Sequence, residues 1–436
     1  ATGGQKLAPT GCLVTMRGPI RVFIRWPTKS GGYMADFHQN GIVATLHKLG
    51  DRSLEDLEAE LVTYAKASPM ALVLPALYSE FETPSMAKIV EEIAKIPYLN
   101  EIILGLDMAD EEQFKRVKGI MGELPQKVSI IWNDGPRMLD IDRQLKESQL
   151  APTERGKGRN VWYCFGYTLA ADNSKAIALH DCDIVTYDRW LPARLFYPIV
   201  NPRFDIKFAK GFYARIHNNA MAGRVFRLFF DPLIRAMKAT VGPTDFLNYL
   251  GVFRYALSGE FAMRRDVISA LRIPSDWGLE VGTLSEMYHI LSTNQMCQVD
   301  ISDCYDHKHQ DLSAGDMSHG LARMSYDIAK SLYRKLATQG EVISAPVVRT
   351  VKANYYRAAL DDVEKYYYNA KINGLNFDRH KEEAAIEVFL ESILHAGDDF
   401  LNTPMEAPFM PNWNRVYAAH PELREQFREA VEADNA

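Results

Sequence analysis

Two carboxylates at the end of an apolar segment are the residues of this sequence best suited to chemistry. The segment 176–185 begins with small and apolar residues and carries Asp181 and Asp183 two positions apart. An extended backbone would place both side chains on the same side of the chain. Unpaired charges at a buried strand end are costly, so a bound divalent cation is one interpretation. A strand end with solvated acids is the other, and the Asp-x-Asp spacing alone does not decide between them.

Other candidates for binding a phosphate or a metal lie on both sides of this segment. Lys157 stands between two glycines, which would let the backbone approach an anion, although a flexible surface loop has the same composition. His307 and His309 point the same way on an extended segment, and either could complete the metal site. The ligands of a competing zinc site would be His180, Cys182, Cys304 and His307. That set lacks the usual Cys-x-x-Cys spacing, so the zinc site is the weaker hypothesis.

Between Asp183 and His307 the sequence also contains a group of cations and two isolated acids. The cations are interleaved with aromatic residues and are Lys207, Lys210, Arg215, Arg224, Arg227 and Arg235. They could neutralise a phosphate or carboxylate of a substrate, or they could form solvated faces of a strand and a helix. Glu260 and Glu280 each lie in an apolar, glycine-containing context. Each is interpreted as a buried ion-pair partner or a substrate contact.

The elements that must position these residues alternate between apolar strands and amphipathic helices from about residue 50. Ser53 and Thr83 have the type and spacing of helix N-caps. The predicted strands are 71–77, 101–106 and 127–132, and a predicted helix at 160–170 leads into the Asp-x-Asp strand. Such alternation predicts βαβ units and a mostly parallel α/β sheet of Rossmann type. A Gly-x-Gly-x-x-Gly loop is missing, so a dinucleotide cofactor is not indicated.

The two ends of the chain differ from this pattern. Residues 1–33 hold five cations and no acid, and are interpreted as a basic, non-core upstream segment. The expected folded domain is 34–312. Residues 313–436 are expected to form a helical C-terminal extension, because apolar residues recur at helical spacing near 316–338, 347–370 and 380–396. Its tyrosine cluster at 355–368 favours packing or an interface, with a ligand site as the alternative.

The amino-acid composition indicates which class of protein this chain belongs to and which partners are not expected. Of 436 residues, 47% are hydrophobic and 24% are charged, which is typical of a globular enzyme. The formal net charge of -6 gives no reason to expect a nucleic acid or an anionic membrane as a partner. No apolar run approaches the length of a transmembrane helix. Five scattered cysteines predict reduced thiols in a cytoplasmic protein rather than a disulfide framework.

Eight segments, taken in order, resemble the glucosyl-3-phosphoglycerate synthases and their mannosyl relatives, a family of retaining glycosyltransferases with the GT-A fold. The resemblance runs from Leu72 to Leu312. Its segments are Pro75-Ala-Leu77 with Glu80, Gly156-Lys-Gly158, Asp181-Cys-Asp183, Lys210-Gly-Phe-Tyr213, Gly223-Arg-Val225, Leu257-Ser-Gly-Glu260 with Arg264-Arg265, Trp277-Gly-Leu-Glu280, and Gln298-Val-Asp-Ile301 leading to His307. The resemblance implies that the expected folded domain, 34–312, is a GT-A glycosyltransferase domain.

The same resemblance implies a donor site for a UDP- or GDP-linked hexose, with glucose as the expected sugar. The residues implied to bind the donor are Pro75, Ala76, Leu77 and Glu80 at the nucleoside, Lys157 near the base and phosphates, and Asp181 at the ribose and metal. A Mg²⁺ or Mn²⁺ ion is implied, with Asp183 and His307 as its ligands.

The acceptor implied by the resemblance is a small anion of the glycerate or 3-phosphoglycerate type, held by Gly223, Arg224 and Val225. Lys210 and His309 are further candidates for its phosphate. In the front-face mechanism attributed to the family, the leaving phosphate takes the acceptor proton. Glu280 would position the sugar, and the backbone carbonyl of Leu257 would stabilise the oxocarbenium-like state.

The sequence departs from the family pattern at three positions, and the first two of these fall where an acceptor phosphate would be bound. The family threonine after Gly-Arg-Val is Phe226, which cannot hydrogen-bond an oxyanion, so free glycerate stays an alternative acceptor. The family His-x-Asn is His307-x-His309, and a one-residue insertion leaves Asp306 and His309 as rival ligands. The family tyrosine before Gly-x-Glu is Trp277.

Two other classes of function stay open at this point. A sugar nucleotidyltransferase would use a similar sheet, acids and lysine loop, but it would release pyrophosphate. A non-catalytic nucleotide-sugar-binding protein would use the tyrosine-rich extension as an interaction surface. The expected assembly is a homodimer.

Overall fold

A mixed sheet of nine strands runs through the part of the chain that the computed structural model describes, namely 39, 41–152, 154–307, 319–403 and 409–436. Its strands are β1 (Ala44–Leu46), β2 (Met70–Leu77), β3 (Leu99–Asp107), β4 (Lys127–Trp132), β5 (Ala176–Leu179), β6 (Phe208–His217), β7 (Ala220–Met221), β8 (Phe261–Arg264) and β9 (Met296–Tyr305). The expected upstream segment 1–33 and the expected boundary at 312/313 lie outside the described residues.

The strand order is β1-β9-β6-β8-β5-β2-β3-β4, with the short β7 paired to β6. Strands β5, β2, β3 and β4 are adjacent in this order and parallel to one another, as the alternating pattern predicts. Strand β8 was not predicted, and it runs antiparallel to both β5 and β6. Because Leu179 at the end of β5 pairs with Phe261 at the start of β8, the residues just before β8 reach the edge where β5 ends.

Fifteen α-helices occur in the described part of the chain. They are α1 (Leu54–Ala65), α2 (Pro84–Ala94), α3 (Glu111–Met121), α4 (Pro136–Glu147), α5 (Lys157–Ala171), α6 (Trp190–Val200), α7 (Asp231–Val241), α8 (Asp245–Leu250), α9 (Arg265–Ile268), α10 (Leu279–Ile290), α11 (Gly320–Thr338), α12 (Ala345–Ile372), α13 (Arg379–Asn402), α14 (Trp413–Ala419) and α15 (Leu423–Asn435). Ser53 and Thr83 cap α1 and α2 through their side chains, as predicted. None of the helices in these ranges is long and apolar enough to cross a membrane.

Both faces of the sheet are buried, which is why its strands are apolar without strict alternation. On β2, Ala71 and Val73 contribute to one apolar cluster, whereas Leu72 and Leu74 contribute to the cluster on the opposite face. The α/β class predicted from the sequence is therefore confirmed.

Helices near the end of the chain cover one side and one edge of the sheet. Trp413 of α14 stacks on Trp162 of α5 with ring centroids 4.2 Å apart, and its indole N–H donates to the Trp162 carbonyl at 2.8 Å. The side chain of Asn435 in α15 accepts from the Ile130 N–H at 3.0 Å and donates to the Ile130 carbonyl at 2.8 Å. Ile130 lies on β4, the last strand of the sheet, so α15 satisfies backbone groups that an edge strand leaves unpaired.

The contact between α5 and α14 predicts a stability effect at a glycine. A Cβ atom added at Gly166 would lie 2.2 Å from the Trp413 ring, so Gly166→Ala is expected to lower the free energy of unfolding by about 1–3 kcal/mol through overpacking. Gly119→Ala on α3 is the matched control, since a Cβ there meets nothing within 4 Å. Denaturant unfolding of both variants measures the difference, and an equal response would contradict this packing argument.

Candidate active site

Three predicted residues meet at the carboxyl end of β5. Asp181 and Asp183 follow this strand, and His307 follows β9. Ligand atoms of the three side chains all lie within 4.8 Å of one another, and Asp183 Oδ2 is 3.5 Å from His307 Nδ1. A backbone bridge between Ile184 and His307 brings the two segments together.

This cluster fits a hard divalent cation. Two carboxylates and one imidazole form an oxygen-rich donor set of the kind that Mg²⁺ and Mn²⁺ accept. Asp183 Oδ1 is buried and accepts no hydrogen bond from the described residues, so an acceptor is available for a further ligand. The rival Asp306 is directed elsewhere, because its carboxylate lies 2.8 Å from His217 Nδ1. The other rival, His309, lies outside the described residues.

The zinc arrangement considered above does not form in the described part of the chain. There, only the cluster of Asp181, Asp183 and His307 has the spacing of a three-residue metal site. His180 is buried with its Nδ1 3.1 Å from the Tyr187 hydroxyl, and burial lowers the pKa of its imidazole to about 3. His180 is therefore a neutral core residue.

Lys157 links the acidic cluster to Glu280. Its Nζ lies 2.6 Å from Asp181 Oδ1 and 2.9 Å from Glu280 Oε1. Burial acts to lower the pKa of the lysine, but the two carboxylates outweigh it and hold that pKa well above its ordinary value. Burial likewise acts to raise the pKa of Asp181, and the Lys157 charge reverses the effect, so the net direction is down. Both groups are therefore charged at neutral pH.

The glycines beside Lys157 have a packing role that explains their positions. A Cβ on Gly158 would lie 2.1 Å from the Pro274 carbonyl oxygen, and one on Gly156 would lie 2.7 Å from the Ser275 carbonyl oxygen. The backbone at the start of α5 is thus pressed against residues 274–275. The segment is not the flexible surface loop that the sequence left as an alternative.

These charged groups line a cavity of about 400 Å³. The predicted site residues on its wall are Lys157, Asp181, Gly223, Arg224, Val225, Leu257, Glu280 and His307. Carboxylates and the lysine thus share one space with the segment Gly223–Val225, although more than sixty residues separate Lys157 from that segment. Trp277 is also on the wall, at the position where the resembling family has tyrosine.

The segment that carries Arg224 has an unusual backbone. Gly223 has φ of +74°, in the left-handed region that favours glycine, and a π-helix spans Val225–Phe230. Arg224 Nε lies 2.8 Å from Oε1 of Glu382, a buried residue of α13. Phe226 packs against Tyr255 with ring centroids 4.8 Å apart. The C-terminal extension thus orients the arginine predicted to bind the acceptor.

The role of Gly259 was not predicted from the sequence. A Cβ there would lie 2.4 Å from Asp181 Oδ2, so a side chain at this position would displace the carboxylate. The antiparallel β8 brings Gly259 to this place, and its position within the resembling segment Leu257-Ser-Gly-Glu260 was a signal in the sequence.

Lys210 does not line the cavity in the way that acceptor binding would need. It is buried, and its Nζ donates to the Ser258 carbonyl at 2.5 Å. Burial lowers the pKa of this lysine to about 8. Its visible contact is therefore with the turn that holds Leu257 and Gly259.

Glu260 forms no ion pair with the residues that the structure describes and is not on the wall of the cavity, in contrast to both interpretations made from the sequence. It is fully buried and accepts from the hydroxyls of Tyr213 and Tyr305, each at 2.7 Å. Burial and then the Asp181 charge raise the pKa of the Glu260 carboxyl. These bonds join β6, β8 and β9 beneath the site.

The four residues expected to bind the nucleoside lie at the same edge of the sheet, outside the cavity wall. Pro75, Ala76 and Leu77 end β2, and Glu80 belongs to the 3₁₀ turn Tyr78–Glu82 that follows. Since β2 pairs in parallel with β5 up to Val73 and Leu179, these residues adjoin the segment that carries the aspartates.

Comparisons with known proteins add independent information. No model of a protein family matches the chain. A glucosyl-3-phosphoglycerate synthase of Persephonella marina is 50% identical over 403 residues, covering 92% of this chain and 100% of that protein. One from Methanococcoides burtonii is 38% identical over 403 residues, covering 92% and 98%.

A solved structure shares the fold. It is the Mycobacterium tuberculosis glucosyl-3-phosphoglycerate synthase in complex with Mn²⁺ and UDP-glucose, with a TM-score of 0.50 at 21% identity, covering 68% of this chain and 87% of that one. This likeness confirms the predicted GT-A fold.

Proposed function

Because the chain belongs to the glucosyl-3-phosphoglycerate synthase family, we propose that it transfers glucose from UDP-glucose to 3-phosphoglycerate with retention of configuration. One observation carries the proposal. A single cavity has Asp181 and His307 of the metal cluster on its wall together with Lys157, Glu280 and Arg224. A diphosphate leaving group and an anionic acceptor would each find complementary charge there.

We assign the donor side of the site to the carboxyl edge of the sheet. Asp183 and His307 would hold Mg²⁺ or Mn²⁺ with the help of Asp181. When bound, the ion neutralises charge on the leaving diphosphate. Lys157 supplies a second positive charge near the phosphates. For the nucleoside we retain the predicted set Pro75, Ala76, Leu77 and Glu80.

On the acceptor side, Gly223, Arg224 and Val225 would bind the anion, and the predicted contact of His309 is retained as well. Glu280 would orient the glucose, since its carboxylate faces the cavity beside Lys157. The carbonyl of Leu257 would face the reacting carbon. Lys210 is better suited to fixing the 257–259 turn than to contacting the acceptor, because its ammonium group donates a hydrogen bond to the Ser258 carbonyl.

A product analysis tests the proposal. The protein is incubated with Mn²⁺, a panel of UDP- and GDP-sugars, and 3-phosphoglycerate or glycerate, and the products are identified by mass. Glucosyl-3-phosphoglycerate together with UDP is expected. Formation of UTP and glucose 1-phosphate from UDP-glucose when pyrophosphate is added would instead indicate a sugar nucleotidyltransferase, and donor binding without any product would indicate a non-catalytic protein.

Arg224→Ala is expected to raise the KM for the acceptor strongly and to leave the KM for UDP-glucose nearly unchanged. A lost charge-assisted hydrogen bond is worth about 1.5–3 kcal/mol, which corresponds to roughly 10- to 150-fold in kcat/KM. Arg224→Lys should restore only part of the loss, because an ammonium group cannot replace a bidentate guanidinium fork. Steady-state kinetics measures both, and an equal effect on donor and acceptor would contradict the assignment.

The replacement of the family threonine by Phe226 bears on acceptor choice. We expect a weaker preference for 3-phosphoglycerate over glycerate than a hydroxyl donor at this position would give. Competition between the two acceptors measures it, and exclusive use of the phosphorylated acceptor would reject the interpretation of Phe226.

We further propose a cytoplasmic homodimer. Cys164, Cys182, Cys297 and Cys304 are free thiols, which supports a reducing compartment. Tyr368 and Ile372, four residues apart on α12, expose 63% and 85% of their surface, which supports an interface on that helix. Light scattering of the protein and of Ile372→Glu tests the assembly, and a monomer in both cases would reject it.

A further inference from the structure

A second cavity, of about 520 Å³, lies against the first and shares part of its wall. Arg215, Phe226 and Tyr255 belong to both walls. The far side of the second cavity is formed by the carboxyl-terminal end of α12, where Tyr366 and Asn369 are on the wall. The second cavity therefore lies between the acceptor side of the active site and the C-terminal extension.

The wall of the second cavity carries three arginines and no acid among the described residues, namely Arg215, Arg227 and Arg254. Neither Arg215 nor Arg254 forms an ion pair with any acid of the described chain. Arg227 Nη2 pairs with Glu382 Oε2 at 2.9 Å. Glu382 also forms an ion pair with Arg224, so one carboxylate is the counter-ion of two guanidinium groups.

Several donors of this wall lack acceptors. Arg227 is only 7% exposed, and its Nη1 is buried without a hydrogen-bond partner in the described structure. Arg215 donates from Nη1 to the Tyr255 hydroxyl at 3.2 Å, while its Nε is likewise buried without an acceptor. Buried donors without acceptors are costly, and an anion in the cavity would satisfy them.

We propose that the second cavity binds a phosphate-class dianion, either inorganic phosphate or the phosphomonoester group of a small metabolite. Planar guanidinium groups match the oxygen geometry of phosphate, and among the described residues Glu382 pairs with only one of the three wall arginines, Arg227. Since Arg215 and Tyr255 also line the first cavity, occupancy of the second cavity fixes the wall that the acceptor contacts. A dianion that is separate from the acceptor therefore changes the affinity for the acceptor.

Isothermal titration with inorganic phosphate at constant ionic strength tests the site without any turnover. Arg254→Gln removes an exposed arginine of the wall and is expected to weaken phosphate binding by about tenfold, the effect of losing one charge-assisted contact. Arg215→Gln is the second test variant and should weaken binding similarly. Arg357→Gln is the matched control, because Arg357 lies on α12 with 79% of its side chain exposed and is not on the wall.

Phosphate binding that is absent from the wild type, or unchanged in both Arg254→Gln and Arg215→Gln, would overturn the proposal. A phosphate affinity that is lowered by Arg224→Ala but by neither of the other two substitutions would also overturn the proposal, because the ion would then lie in the first cavity. Thermal melting of each variant verifies that it is folded.

A second titration distinguishes the two sources of the dianion. Phosphate that still binds to protein saturated with 3-phosphoglycerate identifies a separate ligand, and it should change the acceptor KM in kinetic assays. Phosphate that is displaced by 3-phosphoglycerate, but not by glycerate, identifies the phosphate of the acceptor itself as the occupant. Both results support the site and can be obtained even if the proposed transfer reaction is wrong.

Discussion

Asp183→Ala and His307→Ala are each expected to lower glucosyl transfer by on the order of a thousand-fold while leaving the protein folded. Metal stabilisation of a departing diphosphate is worth several kcal/mol, and each 1.4 kcal/mol is a factor of ten in rate. Both residues follow strand ends, and their side chains take no part in the apolar clusters on either face of the sheet. Steady-state kinetics with saturating Mn²⁺ measures the rate, and thermal melting reports the folded state.

Asp303→Ala is the matched control for the metal prediction. Asp303 lies four residues before His307, but its side chain is 75% exposed and pairs with Lys48. This variant should keep nearly full activity. Excess chelator should abolish transfer by the wild type, and added Mn²⁺ should restore it. Full activity in chelator would show that the cluster of Asp181, Asp183 and His307 is not a catalytic metal site.

Lys157→Met is expected to affect both donor binding and stability. Loss of a charge-assisted bond should weaken UDP-glucose binding by about 1.5–3 kcal/mol. The substitution also leaves Asp181 and Glu280 close together without their shared cation. Breaking a buried ion pair costs about 3–5 kcal/mol, and we expect the lower end because 21% of the Lys157 side chain is exposed.

A second substitution separates the two effects. Lys157→Met combined with Glu280→Gln should recover part of the lost stability, because one of the uncompensated charges is removed, but it should not recover donor binding. Lys95→Ala is the control, since Lys95 also bridges two acids, Glu91 and Glu92, on an exposed surface. It should hardly change the unfolding curve. Unchanged affinity of Lys157→Met for UDP, measured by calorimetry, would reject the donor role.

Local sequence patterns predicted much of the fold and of the candidate site. Apolar runs gave β2, β3 and β4 to within two residues at each end, and the residue types and spacing around Asp181 identified the acidic cluster. These features depend on neighbours within one element, so a short stretch of sequence contains the signal.

Features that depend on distant partners could not be predicted in this way. The antiparallel direction of β8 is decided by its pairing with two strands, one about eighty and one about fifty residues earlier. The steric need for Gly259 follows from that pairing, because it places the glycine against Asp181. Similarly, the Glu382 partner of Arg224 lies 158 residues further along the chain. Neither the register nor the packing of such pairs is encoded in local periodicity.

The side-chain bonds from Asn435 to the outer edge of β4 have a consequence for synthesis of the chain. Ile130 and Asn435 are 305 positions apart. At a translation rate of about 5–20 residues per second, β4 leaves the ribosome roughly 15–60 s before the residue that covers its edge. During that interval the nascent chain presents an uncovered strand, to which another strand can add. Early release of the chain upstream of α15 would make this exposure permanent, so truncated products should be prone to aggregation.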